Sequence, residues 1–151
     1  MMRRVFLFLV FLFSTVAFGQ GLSEEESKLY DLIMEYREAR GLEEIALSPA
    51  LSEVAQVHVQ DLIEHPPKGR CNLHSWSRFG EWSSCCYDGR AKSFPCMWDK
   101  PRELTSYTGD GYEIAYWSSA GASAEEALKG WQKSKGHNTV LINRGVWKDV
   151  Q

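Results

Sequence analysis

Three features of the sequence predict an α+β domain. Two Ser-x-x-Glu capping boxes, Ser23 to Glu26 and Ser123 to Glu126, each open a stretch of helical periodicity. Between those stretches, residues 68–111 carry no sustained helical period and are dense in Gly, Ser, Trp and Cys, which reads as short strands and cross-linked loops. Ile114, Tyr116 and Trp117, following Gly111, read as a further strand.

Arg3 and Arg4 precede an unbroken apolar run from Val5 to Phe13, and small residues at 17 and 19 suit a cleavage before Gln20. Residues 1–19 are therefore expected to be a secretory signal peptide. A membrane anchor is the lesser reading, because the run falls short of the ~18 to 20 apolar residues a span requires. Residues 20–151 then form a single domain. In its first helix Leu29, Leu32, Ile33 and Tyr36 recur at helical steps, and Gly41 ends it in a left-handed cap. Ser48-Pro49 starts a second helix, since proline at the first helical position forfeits no hydrogen bond. Leu51, Val54, Ala55, His58 and Leu62 share its apolar stripe until Pro66 and Pro67 stop it. After Ser123 a helix runs through Leu128 and Trp131, with Gly136 expected to close it. His137 to Ile142 reads as a short helical turn, Gly145 as a breaker, and Val146 to Val150 as the start of a strand.

With 17 Lys+Arg against 20 Asp+Glu, the chain lacks the cationic field that drives nonspecific binding to nucleic acid or anionic membrane. Cys71, Cys85, Cys86 and Cys96 lie close together, and export makes disulfides their default use. Bonding between the neighbours Cys85 and Cys86 needs a strained ring, so each is expected to reach outward, one to Cys71 and the other to Cys96; which takes which stays open. Zinc held by these thiols is the lesser reading, because adjacent cysteines do not easily ligate one tetrahedral ion.

Of the four histidines, His58 on the apolar stripe reads as a packed, hydrogen-bonded core residue, and His65 as a cation suited to a helix end. His74 and His137 occupy loop-like positions, where binding residues concentrate.

The order His74, then Gly111-Tyr112-Glu113-Ile114-Ala115, then Trp131-Gln132-Lys133-Ser134-Lys135-Gly136-His137 resembles the CAP superfamily, which comprises the cysteine-rich secretory, antigen 5 and plant pathogenesis-related proteins, in its shorter bacterial-type form. Leu47-Ser48-Pro49-Ala50-Leu51 with Ala55 and His58 is similar to that family's early helix. The resemblance spans Leu29 to Val150. It implies a three-layer α-β-α sandwich around a central, mainly antiparallel sheet, with the last strand or strands missing and the domain truncated at its C-terminus. It also implies an open cleft in which His74 and His137 match the two family histidines and Glu113 most nearly matches the family carboxylate. Ser134 stands where the family often has a second carboxylate. The trio His74, Glu113 and His137 is thus the expected ligand set for Zn2+ or another divalent cation, with one position open to water.

The function expected is a secreted, extracellular or periplasmic binding module whose cleft, lined by His74, Glu113, His137 and Ser134, takes an apolar ligand, a glycan or a partner protein. The alternative is a hydrolase in which metal-bound water is activated between the histidines with Glu113 as base, or in which Ser134 is the nucleophile. No HExxH or G-x-S-x-G motif supports catalysis, so the expectation leans away from an enzyme. A disulfide-stabilised structural protein of the envelope is the third reading.

Overall fold

A computed structural model describes residues 21–149. The expected signal peptide, Val150 and Gln151 lie outside the described residues. Helix α1 spans Glu24–Glu38 and α2 spans Pro49–Glu64. Short helices α3 (Pro95–Trp98) and α4 (Lys100–Leu104) follow in the cross-linked region, and α5 (Ala124–Lys133) and α6 (Lys135–Leu141) end the helical series.

The caps form as the sequence dictates. Ser23 and Glu26, and again Ser123 and Glu126, exchange side-chain and backbone hydrogen bonds in reciprocal capping boxes. Ser48 accepts from the Leu51 amide ahead of Pro49. Gly41, at a φ of 68°, turns the chain out of α1.

On α5 the residues Ala124, Ala127, Leu128 and Trp131 fall on one stripe, and all four are buried. With Leu141 and Ile142 of the α6 end they form the core, against which Leu29, Leu32, Ile33 and Tyr36 of α1 pack. Buried Arg37 ties this layer together, donating to the Leu141 carbonyl at 2.7 Å and to the Glu43 carbonyl at 3.0 and 3.1 Å.

The expected three-layer sandwich with a central sheet is overturned. Among the described residues the only β pairing is an isolated antiparallel bridge between Trp76 and Cys85. Residues 112–117 form no strand, although their alternation is present: Ile114 and Tyr116 pack on the helical core, while Glu113 meets two histidines. A ladder needs a second extended backbone about 4.8 Å away, and this segment is flanked instead by helices and side chains. Tyr116 lies so close to Gly130 of α5 that a β-carbon there would come within 2.6 Å of the ring. Gly111 donates to the Trp98 carbonyl at 2.9 Å, and a β-carbon on it would meet Pro101 at 2.7 Å.

Two boundaries also differ. Ser134, not Gly136, separates α5 from α6, and Gly136 lies inside α6. In place of the strand expected from Val146, residues Gly145–Trp147 form a 3-10 turn entered through the left-handed Gly145.

Cys71 pairs with Cys86 and Cys85 with Cys96. The neighbouring cysteines reach outward, and their two bonds tie the irregular segment 71–90 to the short helical turns at Ala91–Ser93 and α3. Buried Lys100 adds to this, donating to the Ser83 carbonyl and pairing with Glu103 beneath the Trp76 ring.

Candidate functional site

The site is assembled from three separate stretches of chain. On α2, His58 and Asp61 stand three residues apart and therefore share a face; their relative exposures are 2% and 3%. Both grip the cross-linked segment. Asp61 accepts from the Ser77 amide at 2.8 Å, and His58 Nε2 meets the Ser75 carbonyl at 3.0 Å while its ring stacks on Trp76 at 4.2 Å. This grip positions His74, whose own amide donates to Asn72 Oδ1 and whose ring lies edge-on to Tyr87.

Glu113 comes from the extended segment and closes the arrangement. Its Oε1 lies 2.7 Å from His58 Nδ1 and its Oε2 lies 2.6 Å from His74 Nδ1. Burial acts to raise its pKa, but the bonds from His58 and His74 outweigh that and hold it at about 2. Glu113 is therefore ionised at neutral pH.

The protonation of the histidines follows from these contacts. His58 faces an acceptor through each nitrogen, a carbonyl at Nε2 and a carboxylate at Nδ1, so both nitrogens must donate and the ring is an imidazolium. Burial acts to lower its pKa, but the Glu113 bond and charge, the Ser75 carbonyl and Asp61 raise it above the ordinary value. His74 donates through Nδ1, which leaves Nε2 as the nitrogen a ligand can address.

His137 lies near the start of α6, partly buried, and burial followed by the neighbouring His74 lowers its pKa. It makes no hydrogen bond or ion pair with Glu113 among the described residues. Ser134 caps the α5–α6 junction through its backbone, its amide donating to the Gly130 and Trp131 carbonyls. Its hydroxyl makes no hydrogen bond with either histidine among the described residues.

The structure thus joins His74 to Glu113 directly and brings His137 into electrostatic range, while the Ser134 hydroxyl bonds to none of them among the described residues. The sequence marked His58 as core, and its burial agrees. What the sequence did not expose is its bond to Glu113; the available signal was the pair of polar side chains, His58 and Asp61, one turn apart on an otherwise apolar stripe.

The donor set does not fit a metal as arranged. Both Glu113 oxygens face histidine N–H groups and both His58 nitrogens face acceptors, which leaves His74 Nε2 and the His137 ring, one ligand fewer than a catalytic zinc site provides. Among the described residues no group of three or more His, Cys, Asp or Glu side chains is placed to hold a metal ion.

Two cavities lie elsewhere. One of about 530 Å³ borders α3 and α4, and one of about 680 Å³ lies between the end of α2 and the disulfides; neither is lined by His74, Glu113 or His137. The polar cluster remains the candidate site on its chemistry, because a buried carboxylate between two histidines is not needed to close a core. No helix among the described residues is long and apolar enough to cross a membrane.

Compared with known proteins, the chain matches the family model of the CAP, or cysteine-rich secretory protein, family over residues 30–147. No curated protein and no solved structure gives a significant match.

Proposed function

Because the chain belongs to the CAP family of cysteine-rich secretory proteins, we propose that it is an exported binding module whose ligand docks at His74 and His137 above Glu113. The clamping of Glu113 between His58 and His74 carries this reading. It fixes an ionised carboxylate, an imidazolium and a defined His74 tautomer before any ligand arrives, so that little ordering remains to be done on binding. Such a surface offers hydrogen bonds and charge, which a glycan or a polar segment of a partner protein answers and a purely apolar ligand does not. The two disulfides suit an oxidising compartment. Export through residues 1–19 belongs to the same proposal and is checked by finding Gln20 at the N-terminus of the protein recovered outside the cell.

The decisive experiment is an NMR titration of the oxidised exported chain with zinc and with a panel of oligosaccharides, run with and without chelator. The expected result is ligand-dependent shifts at His74 and His137, and at their neighbours Tyr87 and Glu113, that persist in chelator; in a folded His74→Ala, His137→Ala variant the shifts at Tyr87 and Glu113 are expected to vanish. Shifts seen with zinc alone, or no shifts at either histidine, overturn the proposal.

One observation favours a second reading, hydrolysis. Glu113 orients His74 through Nδ1 as a carboxylate orients a general base. Ser134 has no place in this reading, since its hydroxyl makes no hydrogen bond with either histidine among the described residues. Release of nitrophenol from simple nitrophenyl esters that depends on His74 decides for this reading; a rate equal to that of the His74→Ala variant decides against it.

A further inference from the structure

Trp76 connects the polar cluster to a second region. Its ring stacks on His58, and the same residue lines the cavity of about 680 Å³ between the end of α2 and the cross-linked segment. The apolar lining comes from Pro66, Pro67, Trp76 and Phe79, and the cystines border it, so the walls are held in place by covalent bonds and by proline. Phe79, in the groove lining, is 63% exposed and open to contact.

The charge around this groove runs against the rest of the chain. Lys68 and Arg78 both line it, and neither has a carboxylate partner among the described residues, although the protein as a whole is acidic. The one carboxylate in the lining, Glu64, lies 3.9 Å from His65 Nε2. Unpaired cations beside fixed apolar walls are complementary to a chain that carries carboxylates and apolar side chains together.

We propose that this groove binds an extended acidic peptide segment of a partner protein, with an apolar side chain against Phe79 and Pro66-Pro67 and carboxylates paired with Lys68 and Arg78. A sugar or nucleobase fits less well, because the Phe79 ring already carries His65 at 4.2 Å and the Arg78 guanidinium at 5.2 Å and offers its rim more than an open face. Two cations are too few to hold a protein on an anionic membrane, where anchoring takes a larger basic cluster. The site stands apart from His74, Glu113 and His137, so it holds whether or not the cleft binds a ligand.

The test is an NMR titration of the intact oxidised chain with capped hexapeptides in which Glu alternates with Leu, beside Lys/Leu and Glu/Ser counterparts. The Glu/Leu peptide is expected to shift resonances of Lys68, Arg78, Phe79 and the Trp76 indole. Arg78→Glu is expected to weaken binding about tenfold, as reversal of a contacting charge does, and Phe79→Ser and high salt to weaken it as well. Both side chains are exposed, so both variants are expected to keep the parent circular dichroism spectrum. The His74→Ala, His137→Ala variant is expected to bind as the parent does. No response to the Glu/Leu peptide, an equal response to Lys/Leu or Glu/Ser, or binding unchanged in Arg78→Glu and Phe79→Ser overturns the proposal.

Discussion

Glu113 Oε1 sits 2.7 Å from His58 Nδ1, and His58 donates through Nε2 to the Ser75 carbonyl at 3.0 Å, so one buried imidazolium ties the extended segment to both α2 and the cross-linked loop. These three parts of the chain meet through a single ring. Its protonation state therefore bears on the fold as well as on the site.

At neutral pH, nitrogen-resolved NMR is expected to show both His58 nitrogens protonated, while His137 is neutral because burial and His74 lower its pKa. A single unprotonated nitrogen on His58 at pH 7 contradicts the imidazolium.

Stability is expected to depend on pH at both ends. Glu113 titrates near 2 in the fold against an ordinary 4.5, so its contribution is complete above 4.5 and is lost as pH falls toward 2. His58 is shifted upward from 6.5, so its contribution is complete below 6.5 and is lost as pH rises through the folded value. Urea midpoints measured across pH check both limbs. Glu113→Gln is expected to flatten the acid limb and to destabilise the neutral protein by about 2 kcal/mol, because histidine donors lose an ionised acceptor.

Arg37→Met is expected to destabilise by about 2 kcal/mol, since it strands the buried Leu141 carbonyl and removes both bonds to the Glu43 carbonyl. The lost stability is readable as a Tm drop of about 2–4 °C per kcal/mol for a chain of this size.

Gly130→Ala separates helix propensity from packing. Alanine is favoured in a helix by about 1 kcal/mol, yet its β-carbon would lie 2.6 Å from the Tyr116 ring. Net destabilisation is expected, relieved when Tyr116→Ala is added. A more stable Gly130→Ala variant would show that the ring moves aside freely.

Replacing Cys71 and Cys86 by serine is expected to lower stability by about 3 kcal/mol on the chain-entropy model. It is also expected to loosen the Trp76–His58 stack, visible as a change in near-ultraviolet circular dichroism.

Much of the local structure was legible. Ser23 with Glu26, Ser48 with Pro49, and Ser123 with Glu126 marked helix starts, and the stripe of Leu128 and Trp131 marked a buried face, as the structure has them. Helices α3 and α4 escaped because their few residues are too short for a period; Pro95 and Pro101 in their first turns were the only signal. The sheet expectation failed for a different reason. Ile114 and Tyr116 alternate as in a strand, but alternation records which faces are buried and does not supply a neighbouring strand. Within the site, His74, Glu113 and His137 were named from the family resemblance, whereas the partnership of Glu113 with His58 spans 55 residues and leaves no local trace.

The helix starts, the apolar faces of α1 and α5, and the core position of His58 are written locally in the chain, because caps and stripes depend on residues within a few positions of one another. The pairing of Cys71 with Cys86, the place of Glu113 between His58 and His74, and the seat of the extended segment on helices in place of a ladder emerge on folding. Those outcomes depend on which distant parts of the chain come into contact, and spacing along the sequence does not encode distance in space.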